Sequence, residues 1–309
     1  MTLALPRLHG IVPPLPTPLH ADDSLDDTSL ASIIDFQIKA GVHGLWVLGT
    51  TARFDLLPDA MLRESAEVAA QATAGRVPLV LNVSDQGTRR TQERARAFDD
   101  LPYDYYAALP PWYQMMTAPE ITNYFVSLAD TLSKPIVIYN APWICNQLTF
   151  THLHQLASHP RIVGCKDVTP VLSRTQDWSV QERREMNFSY LHGTDMLAIS
   201  SELGADGFVS SLTNPLPELA AAIWNSTRNN DLDRAFRLQS QFLRIGRTTT
   251  YGPFHASLEV IMRKRGFLTR MLPPPLQPVD RETAKRINDV IDEVGVVPDD
   301  LTMEVGVQR

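Results

Sequence analysis

Eight short apolar runs, separated by amphipathic stretches, are the feature of this sequence that most limits its possible folds. Runs rich in Val, Ile and Leu that alternate with helical stretches indicate parallel strands joined by crossover helices. The predicted strands span residues 11–16, 44–48, 78–83, 104–109, 135–139, 162–166, 188–192 and 206–210. Because helical stretches separate these strands, the sequence predicts a repeated β–α unit.

The helical stretches carry their own start and stop signals. Residues 26–41, 58–75 and 117–135 place apolar side chains at helical spacing. The first two stretches end on glycine, and the third ends on Pro135, which cannot continue a helix. After the eighth strand, further helices are predicted over residues 217–229, 231–245, 254–264 and 281–293.

These elements predict an α/β fold, a (β/α)8 TIM barrel over residues 1–229 with a C-terminal helical extension over residues 230–309. An open doubly wound sheet is the alternative. No G-x-G-x-x-G or G-x-x-x-x-G-K-[ST] pattern follows any predicted strand, which weakens that alternative.

Composition limits the possible partners. Acidic residues outnumber basic ones, 35 to 28, and no basic run is long enough to follow a phosphate backbone. Nucleic acid is therefore not an expected partner. Residues 1–16 lack the continuous apolar centre of a signal peptide, and no later segment approaches a membrane span, so a cytoplasmic protein is expected. Cys145 and Cys165 do not form a metal-ligand pattern, and we expect no metal and no cofactor.

Side chains at the carboxyl ends of barrel strands converge on one mouth, where barrel enzymes have their active sites. The residues at or just beyond the predicted strand ends are Thr50, Thr51, Trp112, Tyr113, Tyr139, Lys166, Asp195 and Ser211. The predicted mouth thus contains an amine, two phenols and several hydroxyls.

Lys166 offers the most specific chemistry of this group. Burial disfavours the ammonium form of a lysine, and the neutral amine can attack a ketone to form a Schiff base. Tyr139 can then transfer protons as a general acid/base, and the turn of residues 49–51 can hold a carboxylate. Each residue also has a structural interpretation. Lys166 would then be a solvated strand end, Tyr139 a core ring, and the two threonines a turn or helix cap.

Short motifs in a fixed order support the chemical interpretation. They are PTPL at 16–19, GTT at 49–51, PPWY at 110–113, YNAP at 139–142, GCKD at 164–167, GTD at 193–195 and GADGFVSS at 204–211. In this order and spacing, the chain resembles the pyruvate-dependent Schiff-base lyases grouped with N-acetylneuraminate lyase and dihydrodipicolinate synthase. The resemblance runs to about Asn214 and more weakly through the following helices. It implies a (β/α)8 barrel, usually a homotetramer, that acts on pyruvate or another 2-keto acid.

The resemblance also implies a role for each matching residue. Lys166 matches the Schiff-base lysine, Tyr139 matches the acid/base phenol, and Thr50 with Tyr113 matches a proton relay. A neighbouring subunit lends this second tyrosine in some members of the family, so a homotetramer or dimer is expected. Thr51 matches the residue that holds the keto-acid carboxylate.

The predicted contacts to the rest of the substrate are Gly193, Asp195, Ser211 and Val168. Asp195 and Ser211 match positions that make such contacts in the sialic acid lyases. Val168 stands where those enzymes have a threonine, so one hydroxyl contact is lost.

Three further departures from the family pattern leave several functions open. The usual Gly-Thr-Thr-Gly-Glu turn continues here with Ala52 and Arg53, so either positive φ is not needed or the turn differs. Ile144 stands where the synthases place a substrate-binding arginine. The leading hypothesis is a class I aldolase or lyase that makes or breaks a carbon–carbon bond in a 2-keto acid, with pyruvate as one partner. The alternatives are a dehydratase of a 2-keto-3-deoxy sugar acid, dihydrodipicolinate synthase itself, and a non-catalytic keto-acid-binding relative.

Overall fold

Eight parallel strands form the centre of the protein. The computed structural model describes residues 7–268 and 270–297. The strands are β1 Gly10–Ile11, β2 Leu45–Val47, β3 Leu79–Asn82, β4 Tyr105–Ala108, β5 Ile136–Asn140, β6 Ile162–Asp167, β7 Ser189–His192 and β8 Gly207–Phe208. They follow the order β1-β8-β7-β6-β5-β4-β3-β2, and each pair of neighbours is parallel. The eight predicted strands are thereby confirmed.

The sheet closes on itself through the segment that follows β1. The N–H of Leu15 donates to the carbonyl oxygen of Trp46 at 2.8 Å, and the N–H of Trp46 donates to the carbonyl oxygen of Pro13 at 2.9 Å. The sequence predicts a strand over 11–16, whereas regular pairing in β1 ends at Ile11. The prolines of this segment have no N–H for a continuous ladder, which explains the shorter strand. The predicted (β/α)8 TIM barrel is the observed fold.

The strands alternate with α-helices, and further helices follow the barrel. They are α1 Asp27–Lys39, α2 Asp59–Thr73, α3 Thr88–Arg96, α4 Ala118–Thr131, α5 Phe150–Ala157, α6 Val180–Glu185, α7 Leu197–Glu202, α8 Pro217–Arg228, α9 Leu232–Gly246, α10 Phe254–Lys264 and α11 Arg281–Val294. At the start of α1, the Asp26 carboxylate accepts the N–H of Ser29 at 2.9 Å and so caps the helix. No helix among the described residues is both long enough and apolar enough to cross a membrane.

The strand residues are buried, and their polar members stand mainly at the carboxyl ends. Strands β2 to β5 are buried along their whole length. Parallel strands covered on both faces read as continuous apolar runs, which is why the sequence reveals them. Asn82, Asn140, Asp167 and His192 are the last residues of their strands. The chemistry-bearing side chains are therefore gathered at one end of the barrel.

The helices after the barrel pack against it rather than stand apart. Helix α9 packs along α8 and buries Leu238 and Phe242. Helix α10 begins beside the barrel mouth, because His255 contacts the turn that follows β2. The division into a barrel over 1–229 and an extension over 230–309 stays a prediction. Residues 1–6, 269 and 298–309, which belong to these two ranges, lie outside the described residues.

Candidate active site

Lys166 lies inside the barrel, one residue before the end of β6. Its side chain is only 3% exposed, because the strand that carries it is covered on both faces. The amine nitrogen Nζ lies 4.0 Å from the centroid of the Tyr139 ring and 5.1 Å from the centroid of the Trp46 ring. Burial among these rings lowers the pKa of Lys166 from its ordinary value of 10.5 to about 7. Much of the amine is therefore uncharged at neutral pH, as a nucleophile requires.

Asp167, the residue after Lys166, makes its hydrogen bonds on the other face of β6. Successive side chains in a strand point to opposite faces, so Asp167 points away from Lys166. Its Oδ2 atom accepts from Arg174 Nε at 2.9 Å and from the Tyr190 hydroxyl at 2.9 Å. This buried carboxylate is thus neutralised on the helix side of β6 and leaves the Lys166 amine in apolar surroundings.

Tyr139 and Thr50 form a hydrogen-bonded pair beside the amine. Tyr139 lies on β5, and its hydroxyl is 3.0 Å from Thr50 Oγ1. Burial raises the pKa of Tyr139 to about 12. The phenol therefore carries its proton at neutral pH, and Thr50 offers a path along which that proton can move.

Thr51 and Ser211 join two turns at the mouth. Thr51 belongs to the short 3-10 helix Thr50–Ala52, and Ser211 begins the 3-10 helix Ser211–Thr213. Their hydroxyl oxygens are 2.6 Å apart. The turn after β2 is thereby held against the turn after β8.

The turn after β2 contains Ala52 and Arg53, the two residues that depart from the usual family pattern. Ala52 lies within the 3-10 helix, and the positive φ of the turn, 53°, falls on Arg53 instead. Of the two alternatives that the sequence left open, the first holds at Ala52, because positive φ is not needed at that position. The Arg53 guanidinium lines the cavity and pairs with Asp55 through two hydrogen bonds of 3.0 and 2.8 Å. The charge that replaces the usual glutamate is therefore balanced by a neighbour in the chain.

His255 is a residue at this site that the sequence did not reveal. Its Nε2 atom donates to the carbonyl oxygen of Thr50 at 2.9 Å and so holds the turn from outside the barrel. Burial lowers the pKa of His255, which favours the neutral ring. The sequence predicts the helix at 254–264, but a contact between residues 205 positions apart leaves no local pattern.

A cavity of about 530 Å³ opens above Lys166. Gly193 and Val168 both line it and contact each other closely. A Cβ atom on Gly193 would lie 1.8 Å from Val168 Cγ1, so only glycine fits beside this valine. The predicted site residues that line the same cavity are Lys166, Tyr139, Thr50, Thr51, Gly193, Asp195, Ser211 and Val168.

Asp195 is the one carboxylate of this predicted set. Ser210 Oγ donates to Asp195 Oδ1, and Gln239 Nε2 donates to the backbone carbonyl of Asp195 at 2.7 Å. Burial raises the pKa of Asp195. A hydrogen-bonding ligand in the cavity would therefore meet a half-buried carboxylate whose Oδ1 atom is already paired with Ser210.

Tyr113 is the predicted site residue that lies apart from the others. Its side chain is 81% exposed and does not line the cavity of its own chain, although the adjacent Trp112 does. The N–H of Tyr113 donates to Gln86 Oε1 at 3.0 Å, which fixes the loop with the phenol turned outwards. Within one chain the hydrogen-bonded pair of Tyr139 and Thr50 therefore does not extend to Tyr113.

The two cysteines are free, and neither lines the cavity. Burial raises the pKa of both Cys145 and Cys165, so both thiols stay protonated at neutral pH. In the part of the chain that the structure describes, no group of three or more His, Cys, Asp or Glu side chains could hold a metal ion.

Fold and site together define a class. A closed (β/α)8 barrel with a buried lysine and a buried phenol at the carboxyl ends of its strands is the framework of a barrel lyase or aldolase. The chain matches the dihydrodipicolinate synthetase family over residues 7–294 and belongs to that family. It is an enzyme of the lyase and aldolase type.

Similar sequences include two whose names bear on function. One is the probable 2-dehydro-3-deoxy-D-pentonate aldolase YjhH of Escherichia coli (strain K12), 29% identical, with 94% of this chain and 99% of that protein covered. Another is a 4-hydroxy-tetrahydrodipicolinate synthase of Chelativorans sp. (strain BNC1), 28% identical, with 93% of this chain and 99% of that protein covered.

Solved structures share the fold closely. YagE, a prophage protein of the dihydrodipicolinic acid synthase family from E. coli K12, was solved in complex with pyruvate. It superposes with a TM-score of 0.89 at 26% identity, covering 95% of this chain and all of that chain. A dihydrodipicolinate synthase from Bacteroides thetaiotaomicron gives a TM-score of 0.86 at 28% identity, covering 93% and 98%.

Proposed function

We propose that this enzyme is a class I aldolase or lyase that acts on a 2-keto acid through a Schiff base on Lys166, with pyruvate as one partner. The observation that carries the proposal is the buried Lys166 amine, 4.0 Å from the centroid of the Tyr139 ring. YagE, which was solved with pyruvate bound, supports the choice of pyruvate, and the similarity to the probable aldolase YjhH supports aldolase chemistry.

In this proposal the neutral amine of Lys166 attacks the keto carbon and releases water. The resulting iminium accepts the electron pair of the C3–C4 bond when that bond breaks. The aldehyde leaves after the C4 hydroxyl gives up its proton, and C3 of the enamine then takes up a proton. Hydrolysis of the imine releases pyruvate and restores the amine. The reverse sequence forms the carbon–carbon bond.

Tyr139 is the proposed acid/base for these proton transfers. Its pKa of about 12 keeps the phenol protonated until a step draws the proton away, and Thr50 Oγ1 at 3.0 Å is ready to exchange it. We propose that Tyr113 of a second copy of the chain completes the relay. A homotetramer or dimer would supply it, and the exposure of Tyr113 in one chain fits that arrangement.

Thr51 is the proposed ligand of the keto-acid carboxylate. The first N–H groups of a 3-10 turn have no partner within the turn, so they are free to donate to an anion. Ser211 keeps Thr51 in place through their 2.6 Å contact. Gly193, Asp195, Ser211 and Val168 are the proposed contacts to the rest of the substrate, which extends into the cavity.

Dihydrodipicolinate synthase activity is disfavoured by the groups present at the mouth. Ile144 lines the cavity where a synthase would place an arginine for a second carboxylate. Arg53 lines the cavity as well, but Asp55 already occupies two of its donors. A charge-assisted hydrogen bond contributes about 1.5 to 3 kcal/mol, so its loss should slow condensation with aspartate semialdehyde roughly 10- to 100-fold.

The test is turnover of 2-keto-3-deoxy and 4-hydroxy-2-keto acids, measured as pyruvate released, beside condensation of pyruvate with aspartate semialdehyde. We expect cleavage or dehydration of the first group to be the faster reaction. Lys166→Ala should abolish turnover, whereas Lys39→Ala, which removes an exposed lysine of α1, should not. Efficient condensation with aspartate semialdehyde would identify a synthase instead. Binding of keto acids without any turnover would identify a non-catalytic relative. A cytoplasmic location remains part of the proposal.

A further inference from the structure

The outer wall of the cavity presents aromatic side chains to solvent. Trp143 and Phe254 both line it, and they are 61% and 45% exposed. Phe54 and Trp112 line it too, and their rings meet edge to face with centroids 6.1 Å apart. Aromatic side chains that line a cavity and remain exposed still have apolar surface to bury, which favours an apolar ligand there.

The polar side chains of the same cavity are largely paired with one another. Pairs of cavity-lining side chains are Thr50 with Tyr139, Thr51 with Ser211, Asp195 with Ser210, and Arg53 with Asp55. Thr249, a further lining residue, donates to the carbonyl oxygen of Gly246 at 2.7 Å. A leaving group with several hydroxyls would compete with these pairs, and an unmatched buried polar group is costly. An apolar leaving group leaves the pairs intact.

We infer that the aldehyde half of the substrate is aromatic, so that the enzyme cleaves an aryl-substituted 4-hydroxy-2-keto acid. This inference rests on the proposed function. Aromatic rings pack edge to face or offset against other rings, and Phe54, Trp112 and Trp143 offer such partners around the cavity. A volume of about 530 Å³ leaves space for a ring beyond the keto-acid portion that Lys166 would hold.

The simplest such substrate is the aldol adduct of pyruvate and benzaldehyde. Its C3–C4 bond breaks while the keto acid is bound to Lys166 as an imine. The electron pair of that bond passes to C3, which gains a proton, and the C4 hydroxyl loses its proton as the aldehyde forms. The products are benzaldehyde and pyruvate, so the step needs no oxidant or reductant.

The experiment compares kcat/KM for this adduct with kcat/KM for the adduct of pyruvate and glyceraldehyde, a polyol of the sugar-acid type. We expect the benzaldehyde adduct to be preferred by roughly tenfold or more, the scale expected for burying an aromatic group. Trp143→Ala should lower its kcat/KM about tenfold and change that of the glyceraldehyde adduct less than about twofold. Because Trp143 is well exposed, its truncation leaves the core unchanged. Phe236→Ala is the matched control, since Phe236 is 46% exposed on α9 and does not line the cavity.

Borohydride reduction in the presence of pyruvate distinguishes a failure of the aromatic assignment from a failure of the proposed Schiff-base function. An adduct on Lys166, together with the aromatic preference and its loss in Trp143→Ala, supports the inference. If the adduct forms but the glyceraldehyde adduct is cleaved as well or better, or neither adduct is cleaved, the aromatic assignment is wrong. An unchanged kcat/KM for the benzaldehyde adduct in Trp143→Ala would also overturn it. Failure to form any pyruvate adduct would overturn the proposed function itself.

Discussion

Replacing Lys166 with methionine should stabilise the protein, and by an amount that depends on pH. The folded state holds this amine at a pKa of about 7, whereas the unfolded chain holds it near 10.5. The two values differ by about 3.5, and each unit corresponds to about 1.4 kcal/mol, so burial of the ammonium costs about 5 kcal/mol at most. Methionine has a similar length and no charge, so Lys166→Met removes this cost without leaving a large void.

The sign of the pH dependence follows from the lowered folded-state pKa. Below pH 7 both states bind the proton, and the wild-type protein bears the full cost. Between pH 7 and about 10.5 the unfolded state binds more protons than the folded state, so wild-type stability rises with pH. Lys166→Met has no such group. Its advantage over the wild type should therefore be largest near pH 6 and small near pH 10.

The assay is urea unfolding of wild-type protein and Lys166→Met at pH 6, 8 and 10, with the difference in free energy of unfolding taken at each pH. Lys39→Met is the control, because Lys39 is exposed and pairs with Asp35 at the surface. We expect a difference of several kcal/mol at pH 6 that shrinks steadily as pH rises. A difference that is independent of pH, or that grows with pH, would refute the argument that burial shifts this amine.

Three further predictions concern turnover and assembly. Tyr139→Phe should lower kcat roughly 100-fold, which is the scale of general acid/base catalysis. The control is Tyr124→Phe, at a buried tyrosine outside the cavity, which should change kcat little. Near-normal turnover of Tyr139→Phe would show that another group moves the proton. His255→Ala should lower kcat severalfold, because it removes the hydrogen bond to the Thr50 carbonyl oxygen. His255→Gln can still donate to that oxygen and should recover part of the loss. Equal activities of the two variants would exclude a role for this hydrogen bond. If a second copy supplies Tyr113, refolding a mixture of Lys166→Ala and Tyr113→Phe proteins should restore activity that neither has alone, and a mixture no better than its parts would place the relay within one chain.

The strands could be predicted from the sequence because both of their faces are buried. A strand covered on two sides favours apolar residues on both faces, which gives largely apolar runs such as 135–139 and 162–166 with polar residues only at their carboxyl ends. The exception is the first strand, where prolines shorten the regular ladder although the segment still closes the barrel. Local sequence indicates where a strand lies but not how far its hydrogen bonds continue.

The candidate site could be predicted only in part from the sequence, because several of its contacts form only in the assembled fold. Lys166, Tyr139, Thr50 and Thr51 follow from strand ends and from the family resemblance, and the structure brings them to one cavity. His255 reaches the mouth only because α10 packs beside it, which no local pattern records.

Tyr113 shows a second reason why the site could not be predicted fully from the sequence. The family resemblance assigns it to the relay, but the described chain turns its phenol to solvent, so the proposed role would require a second copy.

The most direct test of the central claim is the location of the covalent adduct. Wild-type enzyme should be incubated with pyruvate, reduced with borohydride, digested and analysed by mass spectrometry. We expect one modified lysine, Lys166, with a yield that rises as pH is raised through about 7, because the neutral amine is the attacking form. An adduct on a different lysine, or no adduct with pyruvate or any other 2-keto acid, would contradict the assignment of Lys166 as the Schiff-base residue.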